Sequence, residues 1–177
     1  MELKINPYDK KVKEKFRKEK NRIFKVIGNF EIHHIGSTAV PNLGGKGIID
    51  ILIGIDSWEQ TDEVVSKLKK LGFLHIHSKE KGRIFLSKDT SLSLNNIHIH
   101  IAIKRSKAYR DSLFFRDYLR KNKKEAQNYY NLKLKWLKES GTNREKYKKL
   151  KSKYINKILK KPVTNESMFK KIYRRKV

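Results

Sequence analysis

The sequence predicts an α+β protein: a short mixed sheet with early helices, followed by a helical C-terminal half. Three features predict it. Between residues 31 and 103, aliphatic runs of strand length recur, some alternating and some continuous. Segments around them carry apolar residues at helical spacing. Beyond Ser106 the strand pattern stops and three helix-like stretches follow.

The elements follow in order. "INPYDKKVKEKFRKEKNRIFKVI" opens with Asn6 as a helix cap and Pro7 at the first helical position, and Val12, Phe16, Ile23 and Ile27 recur on one face. "FEIHHIG" is a first strand and "GIIDILIGI" a second, with a glycine-rich loop between them. Ser57 followed by Gln60 makes a capping box for a helix over about 57–71, burying Val64, Val65, Leu68 and Leu71. "FLHIHS" and "RIFLS" are short strands joined by a turn at Lys81-Gly82. In "NNIHIHIAI", Ile97, Ile99, Ile101 and Ile103 face one way and His98, His100 and Ala102 the other. "SKAYRDSLFFRDYLRKN", "KKEAQNYYNLKLKWLKES" and "NREKYKKLKSKYINKILKK" are helices broken near Asn122 and at Gly141, and Pro162 ends the last. The expected organisation is an α+β core over 1–105, a helical part over 106–161 packed on it as one compact unit, and a basic tail over 162–177.

Composition narrows the function classes. The 177 residues suffice for one domain with a core. Cysteine is absent, which removes disulfide and thiolate chemistry, and the charged N-terminus has no apolar leader, so a cytoplasmic location is expected. No apolar run approaches the roughly 20 residues that span a bilayer, so no membrane partner is expected. The net charge of +26 is unevenly placed: residues 104–177 hold 26 Lys and Arg against 6 Asp and Glu, a net of +20. That asymmetry suits a polyanion, because neutralised phosphates release counterions. The excess is mostly lysine, 34 against 10 arginines, which is equally the mark of an A/T-rich coding bias, so charge alone does not identify a nucleic-acid binder.

The chemistry concentrates in "HHIGSTAVPNLGGKGIIDILIGI". Asp50 interrupts an apolar strand, and burying it is costly without a partner. Alternation sets Asp50 and Leu52 on one face, and His98 and His100 share one face of their own strand. If the two strands are neighbours, a carboxylate and two imidazoles converge. Backbone amides at Gly36-Ser37-Thr38 are placed to receive phosphate or carboxylate oxygens, with Lys46 as counter-charge. The plainer reading of each element stays open: a turn, a satisfied aspartate, solvent-facing histidines. The six histidines fall in pairs at 33/34, 75/77 and 98/100. Only 98/100 comes with a carboxylate partner; 75/77 reads as surface, and 33 and 34 point to opposite faces.

This stretch resembles the signature of the GrpB family, an H-I-G-S-T-(A/S)-V-P-G-L…K-x-I-I-D-I pattern. The likeness continues through Arg83 before an aromatic, "HIHI" at 98–101 and "FFRDYLR" at 114–120. It extends to Ala126, Tyr129, Leu132 and Lys133, and to Tyr147, Lys151, Tyr154 and Ile155. Asn42 stands where the family commonly has Gly, and Gly47 where Pro is common. The resemblance implies a nucleotidyltransferase-like mixed β-sheet with flanking helices, the fold of DNA polymerase beta relatives. It also implies a link to coenzyme chemistry, since the family occurs fused to dephospho-CoA kinase. The superfamily motif is matched by Gly36-Ser37, twelve residues, then Asp50-Ile51-Leu52-Ile53. Its second carboxylate is replaced by Leu52, and the strand that usually supplies a third carries His98 and His100.

Two-ion transfer needs three carboxylates and is not expected here. Asp50, His98 and His100 suit one divalent ion of the Zn, Mn, Ni or Fe kind, or a histidine acts as general base. Arg116 and Arg120, one turn apart, are placed to grip a phosphate. Tyr129 and Lys133, and Tyr147 and Lys151, pair an aromatic with a cation at i, i+4. The aromatics are either stacking platforms or core residues with their cations in solvent. The function implied is binding of a nucleotide or other small phosphorylated ligand, with metal-assisted group transfer by a degenerate carboxylate set. The alternatives are a catalytically silent nucleotide- or coenzyme-binding module and a basic nucleic-acid-binding protein.

Overall fold

A computed structural model describes residues 4–80, 82–88 and 97–161, and the side chains of 75–80 fall outside the described set. The expected tail over 162–177 and the side chains of His75 and His77 therefore lie outside the described residues.

The chain runs α1 (Val12–Ile27), β1 (Glu31–Ile35), a 3-10 turn (Ser37–Ala39), β2 (Ile49–Ile55), a second 3-10 turn (Trp58–Gln60) and α2 (Thr61–Lys69). It continues with β3 (His75–Glu80), β4 (Arg83–Ser87), β5 (Ile97–Ile103), α3 (Lys107–Lys121), α4 (Lys123–Ser140) and α5 (Arg144–Leu159). The strands form one mixed sheet in the order β1-β2-β5-β4-β3. Only the β2–β5 pair is parallel; β1–β2, β5–β4 and β4–β3 are antiparallel.

Alternation decides which helices cover which face. Ile49, Ile51, Ile53, Ile99 and Ile101 point to the side where Ile23 and Ile27 of α1 and Val64 and Leu68 of α2 complete the main core. On the other side Leu52 and Ala102 pack beneath Tyr109 and Leu113 of α3. The helical half has its own core of Phe114, Tyr118, Tyr129, Trp136, Tyr147 and Ile158, closed by Ile5, Val40 and Leu43 from the N-terminal part. Because loop residues of the first half belong to the core of the second, the α4–α5 hairpin is fastened directly onto the loop between β1 and β2.

Two expected helix starts are placed differently. Asn6 is not a cap: its backbone exchanges hydrogen bonds with Gly45, at 2.7 and 2.9 Å, and α1 begins after Asp9, whose carboxylate accepts the Lys11 amide at 2.8 Å. A backbone already paired with the glycine loop cannot open a helix. The Ser57–Gln60 capping box does not form either. The first turn there is 3-10, so the Gln60 side chain reaches back to the Asp56 amide (2.7 Å) while Ser57 donates to Glu59 (3.3 Å). Val64 and Leu68 are buried as expected, with Val65 and Leu71 partly so. Ser106 and Asn143 cap α3 and α5, accepting the amides of Tyr109 and Lys146.

Candidate functional site

The parallel register of β2 and β5 sets Asp50 beside His98 and Leu52 beside His100. The carboxylate and both imidazoles thus share the face that α1 and α2 do not cover. His100 Nε2 lies 3.3 Å from Asp50 Oδ1, and His98 Nδ1 lies 3.5 Å from the same oxygen. Burial by itself pushes the Asp50 carboxyl up, but the bonds from His100 and His98 outweigh it and hold the group far below the usual carboxylate range. Asp50 is therefore ionised at any ordinary pH. Its side chain keeps 26% of its surface exposed, so a ligand can reach it. His100 turns its other nitrogen, Nδ1, into the interior, where it has no hydrogen-bond partner among the described residues.

Gly36 explains why a glycine ends β1. Its φ is +72°, and a Cβ there would stand 2.2 Å from Asp50 Oδ2. The chain turns directly across the carboxylate, and only a residue without a side chain allows it.

Beyond that turn the loop meets the helical half. The Lys133 ammonium, on the buried face of α4, donates to Ser37 Oγ at 3.2 Å and to the Gly44 carbonyl, with the Tyr129 ring 5.0 Å below it. Gly44 presses on the Tyr130 ring, where a Cβ would stand 2.4 Å away. Lys46 lies 5.2 Å from the centre of the Tyr147 ring on α5. Burial lowers Lys133 to about 7 and Lys46 to about 8, and in both the Lys151 charge adds to the effect. Burial lowers Lys151 too, opposed by Asp50 and reinforced by Arg83. Three ammonium groups from the loop, α4 and α5 thus share one region with Arg83 of β4, and Lys46 and Lys151 both feel Asp50. Neither makes an ion pair with it, so each ammonium stands more than 4.0 Å from the carboxylate oxygens.

Several expected site residues are held elsewhere. Arg116 is buried, its guanidinium doubly bonded to Asp117 (2.7 and 2.8 Å) and donating to the His34 carbonyl (3.1 Å). It fastens α3 to β1 and does not grip a phosphate alongside Arg120. Arg120 ties its Nε to the Ala39 carbonyl at 2.8 Å, with 41% of its side chain exposed. The Thr38 hydroxyl donates to the Ile48 carbonyl and accepts from His34, which burial lowers to about 4. Tyr129 is 1% exposed, stacked on Tyr154 at 5.1 Å and edge-on to Phe115 and Trp136. It is a core residue whose ring is closed to any base. Tyr147 is buried as well.

The residues do not fit the expected divalent ion. Among the described residues no three His, Cys, Asp or Glu side chains form a group able to hold one. Both imidazoles address one carboxylate oxygen, His100 seals its second nitrogen away, and the surrounding field is that of Lys46, Lys151 and Arg83. Such a field repels a cation.

Three contributors escaped sequence reading. Phe85 lies against both imidazoles, with ring centres 4.8 and 5.2 Å away; its place beside Arg83 on β4 was the one available signal. Tyr130 backs the glycine loop, and nothing in "YYNLK" distinguishes it from its neighbour. Asp117 captures Arg116 from the next position, a pairing that helix geometry ordinarily disfavours. Asn42, where the family signature commonly has Gly, has a φ of +63°, a conformation Asn tolerates better than most residues.

Comparison with known proteins agrees with this architecture. The protein-family model described as GrpB protein matches residues 2–161. A UPF0157 protein of Halalkalibacterium halodurans is 32% identical over 158 residues, covering 86% of this chain and 78% of that protein. The crystal structure of GrpB from Enterococcus faecalis superposes with a TM-score of 0.76 at 27% identity, covering 96% of this chain and 99% of that one. A chain of the GLD-2/RNP-8 complex superposes with a TM-score of 0.56 at 12% identity, covering 97% and 69%, a likeness of fold alone. The fold is the α+β one that the sequence predicted, a mixed β-sheet with flanking helices followed by a helical C-terminal half, and it is shared with the Enterococcus faecalis GrpB structure. Among the described residues no helix is long and apolar enough to cross a membrane.

Proposed function

The chain belongs to the GrpB family, and on that premise we propose that it binds a small phosphorylated ligand, a nucleotide or a coenzyme precursor, in the cleft between Asp50 and the lysines of the helical half. One observation carries this reading. Lys46, Lys133 and Lys151 come from three separate elements to the glycine loop, where Lys133 bonds Ser37 and Gly44, and the Lys151 charge adds to burial in lowering the protonation of the other two. Like charges gathered out of water are costly, and a phosphate among them offsets that cost with charge-assisted hydrogen bonds.

Ser37 and the Gly44–Gly45 segment, already against Lys133, form the floor on which the anion rests. No group-transfer step is assigned, since Leu52 replaces the second carboxylate and the remaining donors do not compose a metal centre. Nucleic acid as the ligand loses its stacking platform with Tyr129 and Tyr147 buried, and rests on surface charge alone.

The test is a thermal-shift panel of nucleotides, coenzyme A precursors and divalent metals on wild type, Lys133→Met and Lys151→Met. At least one phosphorylated compound raises the wild-type Tm, and the rise disappears in both variants. A panel in which no compound moves the wild-type Tm, or in which the variants respond as wild type does, refutes the reading.

A further inference from the structure

Resting on the anion-binding reading, we infer that the ligand carries a hydroxyl group as well as its phosphate, and that Asp50 Oδ2 selects it by accepting that hydroxyl's hydrogen bond. The two oxygens of Asp50 are differently placed. Oδ1 is approached by both imidazoles, at 3.3 and 3.5 Å. Oδ2 lies over the bare Gly36 turn, and among the described residues no side chain hydrogen-bonds to it. The ammonium groups of Lys46 and Lys151 sense the carboxylate yet stop short of an ion pair.

A ligand lying between the carboxylate and the lysines therefore meets two opposite demands. Toward the helical half it must present negative oxygens to Lys46, Lys133 and Lys151. Toward the sheet it must present a donor, because an ionised carboxylate repels a second anion and leaves its own lone pairs unsatisfied once water is displaced. An oligophosphate without carbon meets only the first demand. A phosphate ester of a polyol, such as a ribose phosphate or a nucleotide, meets both. Asp50 is in this account a specificity-determining residue, and the two histidines are positioning residues that fix which of its oxygens faces the cleft.

The inference separates ligands matched in charge. Calorimetric titration with ATP and 2′,3′-dideoxy-ATP, and with ribose 5-phosphate and methyl phosphate, compares each ester with a partner lacking the hydroxyls. Tripolyphosphate serves as the carbon-free anion. On wild type the hydroxyl-bearing member of a pair binds about tenfold or more tightly, the range expected of a hydrogen bond to a charged group. Asp50→Asn keeps the shape, removes the charge and offers an amide donor in its place. It erases the preference within each pair and tightens tripolyphosphate severalfold, a crossed response that general damage to the site cannot produce. Lys133→Met weakens every ligand.

The two levels fail differently. Lys133→Met without effect on any ligand overturns the anion site and this inference with it. Lys133→Met weakening every ligand while the paired ligands bind equally to wild type, or Asp50→Asn weakening all ligands alike, overturns the hydroxyl requirement and leaves the anion site standing.

Discussion

The sharpest consequence of the site geometry is the cost of a single methyl group at Gly36. Two separable terms arise in Gly36→Ala. The backbone there, with φ at +72° and ψ at −170°, lies in a region essentially reserved for glycine, and holding an alanine in it costs about 1–3 kcal/mol. The new Cβ would also stand 2.2 Å from Asp50 Oδ2 and 3.0 Å from its carboxyl carbon, so either the turn or the carboxylate moves. Overpacking of that kind costs roughly 1–3 kcal/mol more. The sum, about 2–6 kcal/mol, is a large share of the 5–15 kcal/mol that a typical domain has. Even its lower end lowers Tm by roughly 4–8 °C at this chain length.

Urea unfolding of four proteins separates the terms: wild type, Gly36→Ala, Asp50→Ala and the double variant. With the carboxylate gone only the backbone term remains, so the alanine costs about 1–3 kcal/mol less in the Asp50→Ala background. A Gly36→Ala protein within about 0.5 kcal/mol of wild type, or a cost unchanged when Asp50 is removed, refutes the claim that the turn and the carboxylate press on one another.

Other consequences are equally direct. Arg116→Leu takes from the buried Asp117 carboxylate its two close bonds and leaves it only the Arg120 guanidinium at 3.6 Å, and urea unfolding should show a loss of about 3 kcal/mol, whereas half-exposed Arg120→Leu costs about 1 kcal/mol; equal effects, or loss of phosphate binding in Arg116→Leu at unchanged stability, would restore Arg116 to the site. Lys133 and Lys46 ionise at about 7 and about 8 in the folded protein, below the ordinary lysine value of 10.5. Between those limits the unfolded chain binds more protons, so stability rises with pH from about 7 upward, and Lys133→Met flattens that rise. Anion binding favours the protonated lysines and runs the other way: affinity declines as pH rises through the same values, with proton uptake measurable by calorimetry in buffers of different ionisation enthalpy. A binding constant unchanged between pH 6 and pH 9 would remove these two ammonium groups from the ligand.

Local pattern determined a good deal. Period-two alternation in "IIDILIGI" and "NNIHIHIAI" already assigned Asp50, His98 and His100 to single faces, because a strand leaves each side chain only two directions. The helical breaks at Asn122 and Gly141, and the likeness of fold implied by the glycine-loop signature, were legible for the same reason: they are written in contiguous residues. What lay beyond reach was long-range. The parallel pairing of β2 with β5 across more than forty residues brought the carboxylate to the imidazoles, and no local signal encodes that partnership. The fates of Arg116, Tyr129 and Thr38 also depended on what stood opposite. A buried guanidinium takes the nearest carboxylate and carbonyl, an aromatic takes the nearest apolar core, and a hydroxyl takes the nearest backbone acceptor. The meeting of Lys133 with the glycine loop is likewise a product of docking the α4–α5 hairpin onto the loop. Sequence names the groups able to hold a phosphate; only packing decides which of them are left for a ligand, because each buried polar atom must find its partner before any ligand can.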